Sequence, residues 1–376
     1  PIDTACIQMP LFRPGGSNRP NRSDHRARYP RLRRPRRNRY SRTSGIRRYS
    51  SREYRVRIEA IYRIGDNSAM ATDSRDRPSF KPRNWPGWLA VAIIWLAGQM
   101  PLGLGIALSR PMGWLALHLA GRRRHIAERN IERCFPELAP RERDKLLKDH
   151  FRAVARMLFE TAWVWTAPEK RLDSWCECEG VEFVEQARQS GRGVMLLAAH
   201  STGIEMGGWY PARLAGKPWI VYRSLRNPVL EWFSTRARLR YIGGGLSNKG
   251  VFRNMVQHLE EGGTLWYSPD QDFGRKRSEF APFFGIHTAT LVALVQLAEQ
   301  SGCVVVPLLT AFDDSSRKYV SRYLPPLEGF PSGDVVADLT RYNKMVEDHV
   351  RKWPHQYWWI HRRFKTRPEG EPPFYD

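Results

Sequence analysis

Apolar positions along the chain change rhythm several times, and each rhythm predicts a different element. Residues 85–109, WPGWLAVAIIWLAGQMPLGLGIALS, carry no charged side chain, and the run exceeds the roughly 20 residues a helix needs to cross a hydrocarbon core. A second apolar patch, PMGWLALHLAG, follows before Arg122, Arg123 and Arg124. A membrane anchor is therefore expected over 85–120, with Trp85, Trp88 and Trp114 suited to the interface. Pro101 and the neighbouring glycines weaken the run as a helix, so an interfacial or kinked anchor stands beside a transmembrane helix. The run is too long for a signal peptide and no tight cleavage site follows. Lys81 and Arg83 precede it and Arg110 follows, so flanking charge alone does not orient it.

Beyond Arg124 the pattern is that of a soluble domain, 121–376. Leu146, Leu147, Phe151, Val154, Ala155, Leu158, Phe159 and Ala162 recur at the period of an amphipathic helix over 140–165. Four short apolar runs, 194–199, 219–222, 264–267 and 304–309, are bounded by Gly, Pro or Asp and predict strands. Helical patterns intervene at 249–261 and 289–300, and a last helix is expected over 334–353. This alternation predicts an α/β fold, a sheet with helices on both faces.

Charge adds an appendage. The first 69 residues hold 18 arginines, no lysine and five acidic side chains, so thirteen of the formal net charge of +23 reside there. Such a segment buries too little apolar surface to offset its ordering entropy and is expected to be disordered. Two readings apply: a basic arm for RNA or membrane, or, preferred, translated sequence upstream of a natural start at Met70, leaving 70–84 as a short basic N-terminus. The five cysteines, at 6, 134, 176, 178 and 303, form neither a disulfide framework nor a zinc signature and suit a reducing compartment.

The chemistry concentrates in LLAAHSTGIEMGGW. His200 stands where a strand ends and Glu205 in the first turn of the helix that follows, the edge where open α/β sheets bind ligands. A carboxylate on one imidazole nitrogen fixes the tautomer and leaves the other nitrogen to take a proton. The competing reading is structural: Thr202-x-x-Glu205 has the spacing of a capping box. No G-x-S-x-G elbow, H-E-x-x-H signature, G-x-x-x-x-G-K-[ST] loop or G-x-G-x-x-G motif accompanies the pair. A base without a nucleophile suggests direct deprotonation of a substrate hydroxyl or water.

Four blocks in order, HSTGIE, VYRSLRNPVLEW, WYSPDQDFG and YWWIHRRFKTRPEG, behind an N-terminal apolar anchor, resemble the late acyltransferases of bacterial lipid A biosynthesis over some three-quarters of the chain. The resemblance implies a glycerolipid-acyltransferase-like fold with a central mixed sheet. It implies that His200 is the general base, Glu205 its orienting partner, and Arg223 and Asp270 further polar positions of the active site, in contact with substrate. Asp270 can equally anchor its own loop, with Asp272 as a turn former. The implied reaction moves a fatty acyl chain from an acyl carrier protein thioester to the 3-hydroxyl of a hydroxyacyl chain on a lipid A precursor, without cofactor, metal or nucleic acid. Oxyanion donors would be Arg223 or the amides after His200. Inner membrane lipids are the remaining partner, with the catalytic domain on the cytoplasmic side. Basic residues in 122–124, at Arg141 and Arg143 and in HRRFKTR would attract the acidic partners. The same H-x4-[DE] chemistry also serves glycerophospholipid, mannoside or aminolipid acceptors. A non-enzymatic basic RNA- or lipid-binding protein would leave the His200 block unexplained.

Overall fold

The computed structural model describes residues 77–246 and 251–375. The arginine-rich stretch 1–69, the part of 70–84 up to residue 76 and the start of the helix expected at 249 lie outside them. The long apolar run is two helices, α1 (Trp85–Gln99) and α2 (Leu102–Leu119). Met100 is extended, at φ −64 and ψ 141, as the residue before a proline favours, and Pro101 supplies no N–H to continue the helix. The 15 residues of α1 rise about 22 Å at 1.5 Å each, short of a hydrocarbon core of about 30 Å. α2 carries Arg110 and Pro111 within it, so its apolar run is broken by a charge. Among the described residues no helix is long and apolar enough to cross a membrane, so the expected transmembrane helix is not found.

After α3 (Gly121–Cys134) comes α4 (Pro140–Thr166), against which α1 and α2 lie. The approach is close because glycines face it: a Cβ on Gly105 would sit 2.4 Å from Trp163, and one on Gly113 2.6 Å from the Arg152 backbone. Carbonyls freed at the Met100 break are taken up by α4 and its successor. Trp163 Nε1 donates to Met100 O at 3.0 Å, and the Arg171 guanidinium donates to the carbonyls of Gly98 and Met100.

The chain continues as α5 (Glu169–Asp173), β1 (Cys176–Glu179), α6 (Val181–Gln189), β2 (Val194–Leu197), α7 (Ile204–Leu214), β3 (Trp219–Val221), α8 (Pro228–Arg238) and β4 (Gly244–Leu246). Then follow α9 (Val251–Glu260), β5 (Thr264–Tyr267), β6 (Ser278–Phe283), β7 (Ile286–Leu291), α10 (Ala293–Ser301), β8 (Val304–Asp313), β9 (Lys318–Tyr323) and α11 (Val335–Lys352). Seven strands form one sheet in the order β1-β9-β8-β2-β5-β3-β4, and β6 pairs with β7 separately. All neighbours in the large sheet are parallel except β8 and β9, so the sheet is mixed. The pattern expected as helix from 289 begins instead in β7, and helix starts at Ala293. Thr288 and Thr290 favour a strand, and with Ala289 between them they pair with β6, which settles their conformation.

Alternation along the central strands separates two cores. Met195, Leu197, Leu265 and Tyr267 face α3, the first half of α4, α9, α10 and α11. Val194, Leu196 and Trp266 face α6, α7 and the second half of α4. The sheet is thus covered on both sides. Two glycines let α7 lie flat on it, since a Cβ on Gly207 would meet Thr310 at 2.5 Å and one on Gly208 the Trp266 ring at 1.9 Å. Gly208→Val is accordingly expected to destabilise the fold by about 1–3 kcal/mol through overpacking, read from urea unfolding at neutral pH, whereas the same change at open Gly103 should cost far less.

Candidate active site

β2 and β5 are parallel neighbours, with Leu197 opposite Tyr267, so the loops leaving their carboxyl ends begin side by side. Three residues beyond each strand stand His200 and Asp270. Asp270 grips the histidine twice: Oδ2 accepts the His200 backbone N–H at 2.9 Å and Oδ1 accepts Nδ1–H at 2.6 Å. With Nδ1 donating, the neutral ring presents the lone pair of Nε2. Both residues are buried, at 8% and 3% exposure, so the contact works in a medium of low polarity. Burial by itself pushes the Asp270 carboxyl up, but the charge of His200, its two hydrogen bonds and the charge of Arg363 together outweigh it and hold the group below its ordinary value. The Tyr357 hydroxyl is pushed well above its ordinary value by burial and by the Asp270 charge.

Glu205 does lie in the first turn of α7, but the carboxylate on the His200 ring is that of Asp270, a correction to the expected pairing. Glu205 turns instead toward α8. Its Oε1 accepts from Arg238 Nε at 3.1 Å and from Nη2, and its Oε2 accepts the Tyr241 hydroxyl at 2.7 Å. Burial pushes this carboxyl up, and the Arg238 charge and the hydrogen bonds from Arg238 and Tyr241 reverse the shift, leaving it below its ordinary value. A buried carboxylate needs a cation, and the last residue of α8 supplies it. The capping box is not formed either: Gly203 is the N-cap without a side-chain hydrogen bond, and the Thr202 hydroxyl has no partner among the described residues.

Arg223 follows β3 on the same sheet edge, half-buried, and makes no hydrogen bond or ion pair among the described residues. The structure does not bring it onto His200 or Asp270. The turn after His200 is also less open than expected, because Thr202 N–H donates to Gln356 O at 2.8 Å and Ser201 bridges to Tyr357.

The C-terminal segment closes the site in a way that no spacing in the sequence announces. Asp272 does form the turn, accepting Gly274 N–H at 2.9 Å, and it also accepts the amide and hydroxyl of Thr366 at 2.6 and 2.8 Å. Its own amide donates to His361 Nε2 at 3.2 Å. Asn130 of α3 fastens the same segment from the other side, donating to the carbonyls of Trp359 and His361 at 2.6 and 2.9 Å. The signal was the HRRFKT block itself, dense in polar residues at the end of a chain where a frayed terminus would be ordinary.

Comparison with known proteins gives this geometry a context. A model of the bacterial lipid A biosynthesis acyltransferases matches residues 73–366. The lipid A biosynthesis lauroyltransferase of Escherichia coli K12 is 37% identical over 298 residues, covering 78% of this chain and 96% of the relative. The palmitoleoyltransferase of the same strain is 35% identical, covering 80% and 97%, and its myristoyltransferase 28% identical, covering 79% and 92%.

Because Asp270 is held below its ordinary value in the fold, its stabilisation is complete above the unfolded value of about 3.9 and is lost as pH falls through the lower folded value. Asp270→Asn should therefore be less stable than the parent at pH 7, with the gap narrowing below about pH 4. Denaturant unfolding across pH 3–7 reads this, and a gap independent of pH would contradict it.

Proposed function

Since the chain belongs to the bacterial lipid A biosynthesis acyltransferase family, we propose that it transfers a fatty acyl chain from an acyl carrier protein thioester to a 3-hydroxyl of a hydroxyacyl chain on a lipid A precursor. It is an acyltransferase of lipid A biosynthesis; donor, hydroxyl and acceptor are the added content of the proposal. The observation that carries it is the His200–Asp270 contact. Asp270 holds Nδ1–H, so Nε2 is free to take the acceptor hydroxyl proton as the oxygen attacks the thioester carbonyl. The imidazolium that forms is stabilised by the same carboxylate, and its proton passes to the departing thiolate. The acyl group moves directly between substrates, with no acyl-enzyme.

Glu205 contributes to catalysis in this reading by fixing α7 against α8 through Arg238 and Tyr241, which keeps the His200 turn in place. Arg223, on the same edge and without an internal partner among the described residues, suits a phosphate or polar headgroup of the substrate.

The acceptor is a lipid, and the protein carries a matching surface. Of the 14 large apolar side chains exposed among the described residues, 11 lie between Phe80 and Leu119, including Leu89, Ile93, Leu96, Trp114 and Leu119. In our reading α1 and α2 lie in the interface of the inner membrane, apolar sides in the lipid, with Arg122–Arg124 at headgroup level and the catalytic domain on the cytoplasmic side.

His200→Ala is expected to lower acyl transfer by at least about 100-fold while the protein still folds, and Glu205→Ala by less. An assay with acyl carrier protein thioesters and lipid A precursor, beside mass spectrometry of cellular lipid A, reads both. A His200→Ala enzyme near the parent rate would remove the base assignment, and loss of an acyl chain from another lipid class would redirect the acceptor. Leu89→Gln, Ile93→Gln and Leu96→Gln together should weaken partition onto anionic vesicles by more than about tenfold, measured by co-sedimentation, without unfolding the domain.

A further inference from the structure

We propose that His361 is a second catalytic residue, whose Nδ1–H donates to the oxygen that becomes negative when the acceptor alkoxide adds to the thioester. The proposal rests on the acyl-transfer reading above.

The tautomer follows from one contact. His361 Nε2 accepts the Asp272 amide at 3.2 Å, and a ring nitrogen that accepts carries no proton, so the neutral ring is protonated on Nδ1. That Nδ1–H has no hydrogen-bond partner among the described residues, yet it is not a buried orphan, and the side chain is partly exposed. It is therefore accessible to a hydrogen-bond acceptor from outside the protein.

Position comes from the same loop that positions the base. Asp270 holds His200 and Asp272, two residues on, holds His361, so both imidazoles hang from PDQDFG. The His361 backbone is fixed in turn, its carbonyl by Asn130 at 2.9 Å and its N–H by Trp358 O at 3.1 Å. A donor pinned this way needs little reorganisation when charge develops.

Electrostatics keep the ring uncharged. Burial, then the charge of protonated His200 and that of Arg363, push the His361 pKa down to about 3. Arg363 is 1% exposed and donates only to neutral oxygens, Ala289 O at 2.6 Å, Thr290 Oγ1 at 3.0 Å and Asn343 Oδ1 at 3.4 Å. Its charge therefore acts outward on its surroundings. A ring held this far down stays uncharged at neutral pH, which leaves it the role of a neutral donor.

A donor is also wanted here, because the Thr202 amide in the turn after His200 is already bound to Gln356. In the step, the acceptor hydroxyl proton moves to His200 Nε2, the new C–O bond forms, and the carbonyl π pair moves onto its oxygen beside His361 Nδ1–H. Collapse restores the carbonyl, breaks the C–S bond and returns the His200 proton to the thiolate. His361 keeps its proton throughout.

Two substitutions of the full chain separate donor from scaffold. His361→Asn places an amide N–H where Nδ1–H was and loses the acceptor for Asp272, while His361→Gln can keep that acceptor and loses the donor. With acyl carrier protein thioester and lipid A precursor, His361→Gln should lose about 100-fold in kcat with KM within about threefold, and His361→Asn should recover at least about tenfold of that loss. Thermal unfolding should rank them the other way, Gln closer to the parent. A Gln variant within threefold of the parent kcat, or one faster than Asn, overturns the proposal. His200→Ala run alongside separates the two ideas: if it too retains the rate, the acyl-transfer mechanism fails, and if it alone is inactive, only the role of His361 falls.

Discussion

The site depends on one carboxylate inserted between a backbone and its own side chain. Asp270 accepts both the amide and the ring N–H of His200, so the strand tips of β2 and β5, the turn between β2 and α7, and the imidazole tautomer are set by the same two oxygens. In a buried setting such a charge-assisted contact is stronger than in water, and an unpaired carboxylate there would be costly. Register follows from the same requirement: sliding β5 by one residue would turn Asp270 away from the histidine and move Leu265 and Tyr267 to the wrong core.

Around this contact the protein buries further charge in pairs. Glu205 is matched by Arg238 and Tyr241, and Glu160 by Arg156 and Tyr319 at 2.8 Å each. The first group braces α7 against α8 and the second ties α4 to β9, on the side of the sheet that also receives α1 and α2. Removing either partner would strand a charge in a dry interior, so these contacts hold the helices in one arrangement. The opposite side is tied by uncharged groups and by the C-terminal segment, which runs from Gln356 to Tyr375 past the His200 turn and back to Asn130.

The apolar helices at the N-terminus leave large apolar side chains exposed beside this site's domain. Their glycine-lined side meets α4, while tryptophans and leucines remain on the outside. The chain breaks at Met100 and Pro101 between the two helices, and large apolar side chains of both stay exposed. The break is stable because Arg171 and Trp163 satisfy the carbonyls it frees.

Much of this was legible from local pattern. Period and punctuation located β2, β3, β5 and β8, the helices α4 and α11 and the apolar run, because burial on a sheet or helix face imposes those spacings directly on the sequence. The family blocks singled out His200, Glu205, Arg223 and Asp270 as polar residues at one edge. Which of them meet was not local information. Asp270 reaches His200, and Glu205 reaches Arg238, because β5 lies next to β2 and α8 next to α7, and strand order leaves no periodic trace in one sequence. Residues 289–291 read as helix until pairing with β6 decided otherwise. The single apolar run became two helices because one proline outweighed composition. By itself the sequence determined the layers, the sheet edge and the polar residue types available there; the pairing of His200 with Asp270, the turning of Glu205 toward Arg238 and the contact of His361 with the Asp272 amide were decided by the tertiary structure, since long-range neighbours determine where a buried polar group finds its partner.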